Sequence, residues 1–181
     1  LNFIFYLPIN AQHQFKISIL DRYAGNQRSP LGVLDNTSLS NGELTASYSH
    51  FGRSHRTTVS YEKLEMDYGL PGSPEGHIDG VDLKMSKSSQ KLNHHRDISL
   101  LNFQTLDIDQ RYINYNHSEY VTGSKSEDAS VSMGQNLFSL QGKLTGEQLT
   151  LGSLIQYRDF RAGGFYWTPD TEETRFSVFG L

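Results

Sequence analysis

Phe15-Lys16-Ile17-Ser18-Ile19 alternates apolar and polar residues, and Glu43-Leu44-Thr45-Ala46-Ser47-Tyr48-Ser49 resumes the rhythm after a long polar stretch. A period of two is the signature of a strand, whose successive side chains leave on opposite faces. The same dyad returns downstream. Val81, Leu83 and Met85 oppose Asp82, Lys84 and Ser86; Leu149, Leu151 and Ile155, with Tyr157, oppose Thr150, Gly152, Gln156 and Arg158. Phe176 and Val178 against Arg175 and Ser177 close the chain in the same way. Two stretches are less regular: Tyr112, Ile113 and Tyr115 occupy both faces, and residues 55–66 mix Thr, Tyr, Glu and Lys. The expected fold is all-β, an antiparallel meander of long hairpins with roughly nine strands in a curved open sheet.

The breaks between these segments alternate in length. Short turns are expected at residues 8–13, 52–54, 99–105 and 145–147, and long polar connections at 23–41, 67–80, 122–132 and 161–173. Outer-membrane barrels have this order, with short turns on the periplasmic side and long loops outside. Many of the strands approach or exceed the roughly 9 to 11 residues that a tilted strand needs to cross the hydrocarbon. The sheet is therefore expected to be a partial transmembrane β-barrel wall. Phe15, Ile17, Ile19, Leu44, Ala46, Val81, Leu83, Leu149 and Leu151 are expected on its convex, lipid-facing side.

Composition is compatible with this. Hydrophobic residues make up 36% of the chain and the mean hydropathy is negative, which rules out helical spanning. A barrel strand needs apolar residues only at alternate positions, so it passes the same test. The 10 Tyr, 10 Phe and 1 Trp suit interfacial girdles. A net charge of -4 argues against a nucleic-acid partner, and the lack of cysteine removes thiolate chemistry. The opening Leu1-Asn2-Phe3-Ile4-Phe5-Tyr6-Leu7 lacks the features of a signal peptide, so the chain reads as a fragment or processed piece. An odd number of strands also leaves a barrel unclosed.

Three segments carry a family resemblance. Asp67-Tyr68-Gly69-Leu70-Pro71-Gly72, with the strand Gly80-Val81-Asp82-Leu83-Lys84-Met85 after it, resembles a loop and strand of TonB-dependent outer-membrane receptors. Arg111-Tyr112-Ile113-Asn114-Tyr115-Asn116-His117-Ser118-Glu119 is similar to a later strand of these receptors. Ile155-Gln156-Tyr157-Arg158-Asp159-Phe160, Gly163-Gly164-Phe165 and Thr168-Pro169-Asp170-Thr171 are similar to a strand-to-loop segment beyond it. The resemblance covers residues 15–181 in the family's order. It implies that residues 1–181 are part of one receptor barrel domain, with the plug domain and its TonB-contacting segment absent. It implies residence in a bacterial outer membrane and energised uptake of a scarce ligand: a siderophore, haem, metal ion or vitamin. The partners implied are outer-membrane lipid, the TonB system acting through the missing plug, and a small-molecule or metal-complex ligand. No catalysis and no cofactor are expected. The competing readings are a soluble all-β ligand- or carbohydrate-binding module and a passive porin-like barrel.

Ligand contact is expected in the long loops. Tyr68, His77, Phe165, Tyr166 and Trp167 are the candidate ligand-binding residues, the three aromatics as a stacking surface for an aromatic or sugar ligand. Their plainer reading is an interfacial girdle or loop packing. Glu75, His77 and Asp79 are candidate metal ligands, since imidazole and carboxylate both suit zinc. The plainer reading there is a solvated loop turned by Pro and Gly. His94 and His95, adjacent in a strand, are expected on opposite faces. Asp107 and Asp109 share a face without an accompanying base or nucleophile, and are expected to line a wet lumen. Asp170, Glu172 and Glu173 form an acidic rim or a merely solvated one, and Gly163-Gly164 lacks the helix that a phosphate loop requires.

Overall fold

The computed structural model describes residues 1–73, 77–123, 130–164 and 169–181. Strands hold 80% of the described residues, with no helix among them, so nearly all packing is between strands. Nine strands form one antiparallel sheet in chain order: β1 (Asn2–Asn10), β2 (His13–Ala24), β5 (Leu39–Phe51), β6 (His55–Leu70), β7 (Val81–Leu100), β8 (Phe103–Val121), β9 (Val131–Gly146), β10 (Thr150–Gly164) and β11 (Thr171–Gly180). The other two, β3 (Arg28–Ser29) and β4 (Gly32–Val33), make a small separate ladder inside the β2–β5 connection. The sheet is open, with β1 and β11 as its edges.

The connections alternate as expected. Residues 11–12, 52–54, 101–102 and 147–149 turn the chain at one rim, while 25–38, 71–80, 122–130 and 165–170 join strands at the other. Leu101, at a φ of 53°, takes the left-handed conformation that the tight β7–β8 turn demands.

Pairing register fixes the two faces, because residues directly opposite each other in an antiparallel pair share a side. One row reads Leu7, Phe15, Tyr48, Val59, Leu92, Gln110, Leu140, Ile155, Phe176 from edge to edge. Phe15, Ile17, Ile19, Leu44, Val59, Tyr61, Tyr112, Leu140, Leu151, Ile155, Tyr157, Phe176 and Val178 all lie on this face, and all are exposed. The opposite face carries Lys16, Glu43, Glu62, Lys91, Asp107, Arg111, Lys143 and Arg158, each half-buried. Apolar side chains are thus more accessible than the charged ones beside them, the reverse of a soluble sheet.

Two expected positions are corrected by register. Val81 and Leu83 lie on the sheltered face, because β7 pairs with β6 so that Leu83 meets Tyr68 and Met85 meets Met66. Leu83, 5% exposed, is the single buried hydrophobic residue among those described. Leu149 belongs to the β9–β10 turn rather than to a strand face.

A single layer leaves much surface uncovered. The chain exposes 12605 Å², against about 8,800 Å² for a compact monomer of 20.5 kDa.

Candidate functional site

The exposed face is banded. In the row Phe5, Ile17, Ala46, Tyr61, Gln90, Tyr112, Phe138, Tyr157, Thr174, five aromatics stand on β1, β6, β8, β9 and β10. The next row toward the long loops is polar from β6 onward: Lys63, Ser88, Asn114, Asn136, Asp159, Glu172. The Tyr112 hydroxyl donates to Asn136 Oδ1 in that row at 3.0 Å. An aromatic body on the apolar side with its polar tip turned to the wet side is the disposition of an interfacial residue.

The sheltered face divides along the strands. Its middle and short-turn half is a network of charge. Lys91 Nζ donates to Glu62 Oε1 at 2.7 Å. Asp107 is shared between His95 Nδ1, 2.7 Å away, and Lys143 Nζ, 3.4 Å away. Asn93 donates to Asp109. On β10 and β11, Glu173 receives Arg158 at 2.8 Å and Arg175 at 3.0 Å. The buried Nε atoms of Arg111 and Arg158 have no partner among the described residues. A face so rich in charge is suited to line water or to take a polar ligand. Toward the long loops it turns apolar: Leu64, Met66 and Tyr68 on β6 run beside Leu83 and Met85 on β7, with Ile113 and Tyr115 on β8.

Glycine explains the loop motif at the long-loop rim. Asn36, at a φ of 55°, extends its Nδ2 toward Leu70 O (2.9 Å), Val81 O (3.2 Å) and Thr122 Oγ1 (2.8 Å). It thereby ties the β2–β5 connection to the ends of β6, β7 and β8. A Cβ on Gly69 would come within 2.4 Å of Asn36 Oδ1, so only glycine admits this side chain. Gly80, at a φ of 94°, serves the same seat from the other side, since a Cβ there would meet Leu70 O at 2.4 Å. The loop folds on itself, with the His77 carbonyl accepting from Ser73 N and Gly80 N, both at 3.1 Å.

The expected site residues are not drawn into one cluster. Tyr68 is half-buried on the sheltered face, level with Leu39 and Leu83. His77 and Asp79 are exposed in the 71–80 connection, and no three metal-competent side chains among the described residues are placed to hold an ion. Glu75, Phe165, Tyr166 and Trp167 lie outside the described residues. His94 and His95 do diverge to opposite faces, His94 bonding Thr57 and His95 bonding Asp107. Asp107 and Asp109 do share the sheltered face. Sequence reasoning missed Asn36 and the Arg158–Glu173–Arg175 cluster. The glycines flanking its seat hinted at Asn36, and the alternate charges Arg158, Glu173 and Arg175 hinted at the cluster. No protein-family model and no curated protein matches the chain.

Proposed function

We propose that this sheet is a section of the wall of an outer-membrane β-barrel receptor of the TonB-dependent kind, taking part in the uptake of a small-molecule or metal-complex ligand. The banded exposed face carries the reading. Its apolar belt, ending at a row of aromatics and backed by a charged sheltered face, is the pattern that lipid outside and water inside impose. The alternation of short and long connections supports it. The two open edges carry unpaired backbone groups that would need further strands before the sheet could sit in lipid. A soluble binding module would require a second layer over the apolar face, and the described residues supply none.

In this reading the long-loop rim captures ligand and the apolar patch around Tyr68 and Leu83 receives it. The charged wall below forms the wet passage. The wall binds and conducts, and no bond in the ligand is made or broken. Cell fractionation tests the location: the protein should be recovered in outer membranes and require detergent, whereas recovery as a soluble monomer would sink the proposal. Uptake under nutrient limitation tests the rim. Deleting residues 71–80 and 165–170 should abolish it, and unchanged uptake after both deletions would make those loops structural only.

A further inference from the structure

Four histidines line the short-turn border of the exposed face. The ring of His13 lies 4.8 Å from that of His50, His50 lies 5.1 Å from His55, and His55 lies 6.1 Å from His94. The row crosses β2, β5, β6 and β7 just below the apolar residues Phe15, Tyr48, Val59 and Leu92. The rings are held from one side: His13 Nδ1 by the Tyr48 hydroxyl at 2.6 Å, His94 Nδ1 by Thr57 Oγ1 at 2.8 Å, and His50 Nδ1 by His55 Nε2 at 3.3 Å. That leaves the Nε2 atoms of His13, His50 and His94 available. Gly52 makes the row continuous, because a Cβ there would come within 2.1 Å of the His55 ring.

Two arginines lie next to the row by chain and register position. Arg96 is paired in register with His55, and Arg53 stands in the β5–β6 turn; both are exposed and neither makes an ion pair among the described residues. From β2 to β7 this border of the exposed face holds no carboxylate. Asp97, next to Arg96 on β7, and Asp107, on β8, are engaged with His95 on the other face.

We propose that this border is a docking site for the phosphate of anionic phospholipid headgroups, with Arg53 and Arg96 as the charged contacts and the imidazole row as fixed hydrogen-bonding groups. The proposal rests on the membrane reading. It follows from continuity with the apolar belt, which places the row at headgroup depth, and from charge of one sign. Guanidinium presents paired donors that match phosphate oxygens. A divalent cation is disfavoured by the same two arginines, and no three His, Asp or Glu side chains among the described residues are placed to hold one.

The test uses the full chain, reconstituted into vesicles of phosphatidylcholine alone or of equal parts phosphatidylcholine and phosphatidylglycerol, with bound lipid compared by spin-label partition. The unmodified protein should retain phosphatidylglycerol preferentially. Arg53→Gln and Arg96→Gln should each lower that preference about fivefold, while Arg56→Gln, the same charge removed from the sheltered face of the same hairpin, should leave it intact. Arg53→Lys and Arg96→Lys, which keep the charge, check that a loss is not misfolding and should recover part of the preference. Equal retention of both lipids, or an equal effect of Arg56→Gln, would overturn the proposal. Displacement of lipid by inorganic phosphate at comparable concentration would do the same by revealing a free-anion site. Zinc chloride bound in a manner that His50→Ala abolishes would reveal a cation site, with the same consequence. Failure to enter either vesicle would instead overturn the membrane reading beneath it.

Discussion

Asn36 concentrates more of the long-loop rim's order in one side chain than any other residue described. Its left-handed backbone suits asparagine better than most residues, and its amide serves acceptors at the ends of β6 and β7 and just beyond β8. Asn36→Gly relieves the backbone while deleting the amide, so its cost isolates the hydrogen bonds: about 1 to 3 kcal/mol for acceptors left without a donor. Asn36→Asp should be worse than Asn36→Gly, because a carboxylate would face the carbonyls of Leu70 and Val81. Denaturant unfolding in detergent gives both values, and an aspartate variant as stable as the parent would refute the arrangement. Gly80→Ala belongs to the same seat. Its positive φ and the approach to Leu70 O should together cost about 1 to 3 kcal/mol, read in the same titration.

At the scale of strands, β7 with 20 residues and β8 with 19 are nearly twice as long as a bilayer crossing requires. Their ends therefore stand clear of the apolar belt. The faces make a paired prediction. Ile17→Arg should cost about 2 to 4 kcal/mol near mid-membrane, while Ser18→Arg on the sheltered face should be tolerated, as scored by folding yield in vesicles. Equal costs would mean that neither face meets lipid. Strand positions and the order of turns were legible in the sequence because they depend on local alternation and on Gly, Pro and Asn. The face of Val81 and Leu83 was not. Alternation says only that Val81, Leu83 and Met85 go together; which side they take is decided by a partner 15 residues away, where Tyr68 meets Leu83. The Asn36 tie was hidden for a related reason, since its acceptors at Leu70, Val81 and Thr122 become neighbours only once three hairpins have paired. The loop aromatics at 165–167 stood out as residue types without any register to place them.

For the whole molecule, the open edges set the distribution of stability. Amide exchange should be slowest in the middle of β7 and β8, which are paired on both sides, and fastest in β1, every residue of which is exposed. If further strands close the sheet in the cell, β1 should exchange as slowly as its neighbours when measured in native outer membranes. The belt itself is not level with the pairing rows. On β2 it runs from Phe15 up to Ile19, whereas on β10 it runs from Leu151 up to Tyr157, although Phe15 and Ile155 share a row. A flat slab of oil can touch both segments only if the strands lean. Under the membrane proposal Phe15 would sit near the lower surface of the bilayer, while Ile155, its companion across the sheet, would lie near its midplane. In a closed barrel such a lean accumulates from strand to strand as the shear that fixes the cylinder's radius, so under the same proposal a staircase of apolar side chains would carry information about how wide the cylinder is.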